Sequence, residues 1–219
     1  EIYSWGRNQS GQCGTGDTEK VNKPSKIKFG GLSKDEVIIQ ISASTYHNVV
    51  LTNHGKVFSW GANEKLQCGI QSSHNLLVPT EIPILLDHED EKILFLDTKR
   101  LQSFAFTNHN SCYTWGYNLH KKTPSLPIKS LFPLHEALSF RKLTIVRQLM
   151  NSRNINELDE YDQTPLFIAC TEGLEEIVKE ILEKMVSVNS ILFKSKNPVN
   201  VASTSGYLSI VQLLLEHGL

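Results

Sequence analysis

Apolar and polar positions follow two different periods along the chain, and the change falls near residue 130. In the first stretch, Val49 and Leu51, then Val57 and Ser59, place apolar or small residues at alternate positions. Asn53-His54-Gly55 separates the two runs. Alternation on both sides of a polar, glycine-containing break predicts a β-hairpin. The run Ile38 to Ile41 predicts a short buried strand. In the second stretch, Ile177, Val178, Ile181, Leu182 and Met185 recur at the spacing of one helix face between Glu175 and Met185.

Both stretches repeat themselves. Trp5, Trp60 and Trp115 stand 55 residues apart, within Tyr3-Ser4-Trp5-Gly6-Arg7-Asn8, Phe58-Ser59-Trp60-Gly61-Ala62-Asn63 and Tyr113-Thr114-Trp115-Gly116-Tyr117-Asn118. Gln12-Cys13-Gly14 returns as Gln67-Cys68-Gly69, Pro24 as Pro79, and Thr52-Asn53-His54 as Thr107-Asn108-His109. Several short strands per unit at one fixed spacing predict propeller blades or a β-solenoid. The Tyr/Phe-Ser-Trp-Gly-x-Asn pattern, the following Gln-x-Gly and His47 before Val49-Val50-Leu51-Thr52 resemble the regulator of chromosome condensation repeat. That resemblance covers about residues 1–118 and implies blades of a seven-bladed β-propeller. Three departures stand out. Lys65-Leu66 replaces Ser10-Gly11, Gln102 replaces His47, and Leu119-His120-Lys121-Lys122 shows no Gln-x-Gly. Two full units and the start of a third are expected. A propeller removes its sheet edges by closing, which two to three blades cannot do. Either earlier blades lie ahead of Glu1 or the array is a degenerate open one; the first is expected.

In the second stretch Pro133, Pro165 and Pro198 are 32 and 33 residues apart, as are Ala137, Ala169 and Ala202, and Ile145, Ile177 and Ile210. Proline at a helix start costs no hydrogen bond, and Gly173 and Gly206 fit helix ends. Helix pairs are therefore expected at Pro133–Phe140 with Leu143–Met150, after Thr164-Pro165, and at Pro198–Ser205 with Leu208–His217. Thr164-Pro165-Leu166 and the preceding Asp159-Glu160-Tyr161-Asp162-Gln163 are similar to the ankyrin repeat. Asp162 stands where that family has glycine, and aspartate tolerates the left-handed conformation better than most residues. Arg141 replaces a helix-ending glycine, and the turn at 192–196 is degenerate. Val201, Ile210 and Leu214 have no visible cap, so further repeats are expected downstream.

The expected fold is a mixed chain of two repeat domains. Residues 1–128 form an all-β partial propeller, with two full blades and part of a third. Residues 129–219 form an all-α ankyrin helix-pair solenoid, with repeats at about 131–163, 164–196 and an incomplete 197–219. The chain is expected to be part of a larger multi-repeat protein.

Charge adds little to this picture. Basic and acidic residues number 14 and 12 in 1–129, and 8 and 11 in 130–219. Neither half has the basic excess of a nucleic-acid footprint. Four scattered cysteines, with no C-x-x-C pair, suit a reducing compartment, so the protein is expected to be intracellular, cytoplasmic or nuclear. No apolar run reaches the length of a membrane span, and no membrane partner is expected.

Catalytic chemistry finds no local signature. Gly11, Gly14 and Gly16 lack the Lys-Ser/Thr of a phosphate loop and read as a blade loop. Cys13 and Cys68 read as small buried hydrophobes. His47 reads as a structural hydrogen-bonding residue. His54 and His109 recur at hairpin tips with no acid at a fixed offset. His88-Glu89-Asp90-Glu91 lacks zinc-site geometry and reads as a solvated loop. No enzyme, cofactor or metal is expected. In an ankyrin-type stack the partner surface is the first helices and the hairpin tips. By position these are Glu136, Ser139 and Phe140; Ile168, Thr171 and Glu172; Val201, Thr204 and Ser205; and Glu160, Tyr161 and Gln163. Phe140 and Tyr161 are the expected anchors. The expected function is a non-enzymatic protein-interaction scaffold. The resemblance also implies two alternatives: part of a nucleotide exchange factor for a small GTPase, and a substrate-recruiting part of a ubiquitin ligase.

Overall fold

The computed structural model describes residues 1–118, 123–151, 155–185 and 196–219, with the side chain of residue 118 left aside. Residues 119–122, expected to lack Gln-x-Gly, and the degenerate turn at 192–196, apart from residue 196, lie outside these residues. The chain divides into two units, Glu1–Ser130 and Leu131–Leu219.

Among the described residues, alternation in the first unit produces ten strands: β1 Tyr3–Gly6, β2 Val21–Lys26, β3 Ile38–Ala43, β4 His47–Thr52, β5 Val57–Gly61, β6 Leu76–Glu81, β7 Ile93–Lys99, β8 Gln102–Thr107, β9 Cys112–Asn118 and β10 Thr123–Lys129. They form antiparallel meanders: β1-β2, β3-β4-β5-β6 and β7-β8-β9-β10. The sequence repeat straddles these sheets. Each 55-residue unit begins with the last two strands of one sheet and ends with the first two of the next. The incomplete sheet is therefore the first, not the third as the sequence pattern implied. The third is completed by β10, whose Pro124 and Pro127 disguise it as a loop. β10 is an edge strand, as are β2 with Pro24 and β6 with Pro79, and an edge strand can spare the N–H that proline lacks. The Ile38–Ile41 run is β3, but its Ile39 and Ile41 are exposed rather than buried.

Successive sheets interlock through side chains bound to backbone. The Trp60 indole N–H donates to the Gln12 carbonyl at 3.0 Å, and Asn48 donates to the same oxygen at 2.9 Å. Gln40 donates to the Leu96 carbonyl at 2.7 Å and accepts from the Leu96 N–H at 2.9 Å. Ser42 bonds Asp97 at 2.7 Å, and Ser44 donates to the Arg100 carbonyl at 2.7 Å. Between the second and third sheets, Val49, Leu51, Val57, Ile82, Ile93, Leu96, Ala105, Tyr113 and Trp115 form one buried cluster. The first two blade loops are each pinned by the asparagine of their Trp-Gly-x-Asn motif. Asn8 accepts from Cys13 N–H at 2.8 Å and donates to the Asp17 carbonyl at 3.0 Å. Asn63 repeats this with Cys68 N–H at 3.1 Å and the Ile70 and Ser72 carbonyls at 2.9 Å.

The glycines after Trp60 and Trp115 are required by close approach. Gly61 has φ +109°, and a Cβ there would lie 2.2 Å from the Tyr46 carbonyl oxygen. That oxygen accepts from the Ala62 N–H at 2.8 Å. Gly116 repeats the geometry against Leu101.

The second unit contains α1 Pro133–Ser139, α2 Leu143–Met150, α3 Pro165–Thr171, α4 Glu175–Lys184, α5 Pro198–Thr204 and α6 Leu208–Glu216. Each first helix begins at its proline. Thr164 caps α3 by accepting from Phe167 N–H, and Asn197 caps α5 by accepting from Val199 and Asn200 N–H. The first helices α1, α3 and α5 pack side by side, and α6 packs on α4 and α5. Arg147 links α2 to α4, donating to Glu180 at 2.9 and 2.7 Å. Ile210 and Leu214, expected to lack cover, are buried because they face back into the stack; Leu208 and Leu215 are the exposed large apolar residues of α6. Gly173 and Gly206 end their helices at positive φ, and Arg141 takes the same conformation at φ +56°. Asp162 also has φ +56°, as its place in the turn demands.

Two substitutions probe these constraints. Gly61→Ala should destabilise the blades by about 3 kcal/mol or more, through overlap with Tyr46 and a strained φ. Urea unfolding followed by tryptophan emission measures this, since all three tryptophans lie in the first unit. Arg141→Gly should stabilise the helical unit by about 1 kcal/mol, because only the side chain makes its φ costly. The check is thermal melting followed at 222 nm.

Candidate partner-binding surface

The residues of the blades that could carry chemistry are built into the fold. Gly11 lies against β6: a Cβ there would meet the Leu77 side chain at 2.6 Å, and Gly16 N–H donates to the Leu77 carbonyl at 2.9 Å. This glycine loop docks on the next blade. Cys13, Cys68, Cys112 and Cys170 are buried free thiols, and burial pushes Cys68 and Cys170 up to about 12. A thiol held in that range is a poor nucleophile at neutral pH.

His47 is fully buried, its Nε2 2.9 Å from the Ser103 hydroxyl. Ser103 gives its own proton to the Gln67 carbonyl at 3.1 Å. The imidazole is therefore the donor through Nε2, and its Nδ1 is buried without a hydrogen bond. Burial pushes the His47 pKa down to about 4.

The hairpin-tip histidines do have acids at a fixed offset, which the sequence reading missed. His54 meets Asp35 and His109 meets Asp90, each pair at 3.3 Å and 19 positions apart. Asn53 and Asn108 brace the same corners by accepting from Val37 and Lys92 N–H at 2.8 and 2.7 Å. The cluster at 88–91 is not simply a solvated loop, for Glu91 is buried and accepts from Thr107 at 2.7 Å. Glu36 repeats this bond with Thr52 at 2.8 Å. Burial acts to raise both carboxyls, but these hydrogen bonds and neighbouring lysines hold them below their usual range. Among the described residues, no group of three or more His, Cys, Asp or Glu could hold a metal ion. No helix of the described residues is long and apolar enough to cross a membrane.

The helical unit offers a different kind of surface. Asp159 organises the tip, accepting from Tyr161 N–H at 2.8 Å and Gln163 N–H at 2.9 Å. The Gln163 carbonyl lies 3.0 Å from His135 Nε2 of the preceding repeat, and Lys196 N–H donates to the Asp162 carbonyl at 3.1 Å. Tips and first helices thus form one row. Thr171, Thr204, Ser205 and Glu160 are exposed; Glu136, Ser139, Tyr161, Glu172 and Val201 are half-buried. Burial first, then the charges of Glu160, Asp159 and Glu136, raise the Tyr161 phenol to about 12. Glu136, Glu160 and Tyr161 therefore lie in one neighbourhood.

Three expected surface residues are buried: Phe140, Gln163 and Ile168. Phe140 is the C-cap of α1, donating its N–H back to Glu136 and Leu138 carbonyls. Its ring offers a partner little surface. Gln163 is taken up by the tip and Ile168 by helix packing. Phe167, one position earlier, is half-buried instead, with the Lys196 ammonium 5.9 Å from its ring centroid. The repeat equivalence of Phe167 and Asn200, an exposed polar residue, was the signal for it.

Comparison with known proteins matches the two halves separately. The ankyrin repeat model, in three copies, matches residues 134–219. The regulator of chromosome condensation (RCC1) repeat model matches residues 1–51 and 54–94. The chain carries RCC1 repeats followed by ankyrin repeats. Among curated relatives of the RCC1 part, RCC1 domain-containing protein RUG3, mitochondrial, of Arabidopsis thaliana is 35% identical over 117 residues, 53% of this chain and 25% of that protein. Probable E3 ubiquitin-protein ligase HERC4 of Mus musculus is 30% identical over 118 residues, 53% of this chain and 10% of that protein. The chain spans a quarter or less of the length of these relatives. The crystal structure of human WBSCR16 superposes with a TM-score of 0.51 at 21% identity, covering 60% of this chain and 33% of that one. That likeness is one of fold.

The buried histidine of the RCC1 repeats makes their stability pH-dependent. Above pH 6.5 His47 is neutral folded and unfolded, so it has no effect. Between 6.5 and about 4 the unfolded state takes a proton that the folded state refuses, and stability falls as pH falls. The full difference is about 3 kcal/mol. His47→Gln, which borrows the residue found at Gln102, should remove this loss between pH 6.5 and 4.5. Urea midpoints of the two chains across that window measure it.

Proposed function

We propose that the chain is a non-enzymatic protein-binding scaffold whose ankyrin first helices and hairpin tips form the docking surface. One observation carries this reading. Equivalent positions that pack within the stack hold the same residue, as in Ala137, Ala169 and Ala202, all buried. Equivalent positions on the open row hold chemically different residues: Glu136 and Val201; Phe167 and Asn200; Glu172 and Ser205. Stacking explains the first set. The second set is free to encode a partner, and a rigid helical scaffold limits the entropy lost on binding. RCC1 and ankyrin repeats are interaction-type domains. The name of the ligase relative supports a recruiting role within a larger protein.

A photo-reactive phenylalanine analogue at Thr171 or Thr204 should yield a covalent adduct with a partner protein. The same analogue at Lys179 or Gln212, on the second helices, should yield none. Adducts confined to the second-helix positions would overturn the assignment. Nucleotide release from small GTPases mixed with the chain should stay at its basal rate; acceleration would favour the exchange-factor reading.

A further inference from the structure

We propose that the docking row takes a basic segment of its protein partner, one that sets arginine or lysine side chains among the row's carboxylates; this rests on the docking reading above. Charge distribution identifies the partner. The row consists of α1, α3 and α5 with their C-caps, and of the segments 155–164 and 196–197 that lead into α3 and α5. Among its described residues stand six acids, Glu136, Glu157, Asp159, Glu160, Asp162 and Glu172, against one lysine, Lys196, and no arginine. The other described residues of the helical unit balance at five acids and five bases. The excess negative charge therefore lies on the open row. On the second helices Arg147 reaches two carboxylates, donating to Glu176 at 3.2 Å and to Glu180 at 2.7 Å.

The acids are gathered rather than spread. After burial, the charges of Glu160, Asp159 and Glu136 act most on the Tyr161 phenol. Burial lowers the pKa of His135, next to Glu136, and the charges of Asp159 and Glu157 oppose it. The tip and α1 thus hold four carboxylates in one neighbourhood. Like charges held together repel; an incoming cation relieves that repulsion, and a polyanion would add to it. The row also shows how it receives a cation. The Lys196 ammonium stands 5.9 Å from the Phe167 ring centroid, within reach of the negative face of the ring. Its backbone is fixed there by the N–H that donates to the Asp162 carbonyl at 3.1 Å. Tyr161, half-buried among Glu136, Asp159 and Glu160, offers an incoming guanidinium or ammonium an aromatic ring and acids together. α3 lies between α1 and α5, so its part of the row has a repeat on either side.

The test uses the full chain and labelled peptides of equal length that place arginine, glutamine or glutamate at alternate positions between glycines. By fluorescence anisotropy the arginine peptide should bind most tightly, and raising salt from about 50 to about 500 mM should weaken it about tenfold. Glu136→Gln with Glu160→Gln and Asp162→Asn should weaken it about tenfold as well. Asparagine tolerates the φ of +56° at position 162. Neutralising as many carboxylates on the second helices, by Glu175→Gln, Glu183→Gln and Glu216→Gln, should leave binding unchanged. The photo-reactive analogue at Thr171 should capture the arginine peptide. An arginine peptide bound no more tightly than the glutamine peptide, or weakened equally by both triple variants, overturns the proposal. Capture of the glutamine or glutamate peptide at Thr171 in place of the arginine peptide overturns it while the docking row stands. Capture of the arginine peptide only from Lys179 or Gln212 overturns both.

Discussion

The second blade binds its buried tryptophan to an acceptor that it does not own. The Trp60 indole donates to the carbonyl of Gln12, in the loop of the sheet before, and Asn48 of the same blade shares that oxygen. The loop can present Gln12 only because Asn8 pins it from within. Loop, tryptophan and strand are therefore one unit spread over two sheets, and no sheet here is a self-sufficient module. This accounts for the offset between sequence repeat and sheet. The conserved spacing follows the interface, which joins the end of one sheet to the start of the next.

The helical unit obeys the same rule with different parts. A helix pair has too little apolar face to hold itself, and nearest-neighbour contacts supply the rest. Here the coupling runs through polar groups as well: His135 to Gln163, Asp162 to Lys196, Arg147 to Glu180. These bonds fix the row of first helices and tips, so the residues facing outward can vary without disturbing the stack.

The periods were legible because packing demands the same residue at the same place. Trp5, Trp60 and Trp115 or Pro133, Pro165 and Pro198 are read directly. Helix bounds fell within a residue because proline starts and positive-φ ends have local causes. What was not legible has non-local causes. Nothing near Pro124 or Pro127 shows that β10 lies on an edge where a missing N–H costs nothing. Asp35 lies 19 residues from His54, beyond the reach of a motif search. Ile39 and Ile41 read as core because a strand's two faces cannot be ranked without its neighbours. On the candidate surface, period placed the first helices correctly but was one position out at the middle of α3, where Ile168 turns inward and Phe167 outward. Phe140 was taken for an anchor because it is aromatic, whereas a ring at a helix C-cap folds into the packing.

The prolines of β2, β6 and β10 have a consequence for crowding. A neighbouring molecule that approaches one of these rims meets a strand whose row of donors has gaps. It cannot extend the ladder there, however concentrated the solution. Blades of this kind can line up beside copies of themselves without fusing into continuous sheets, and the loops between them remain free to diverge.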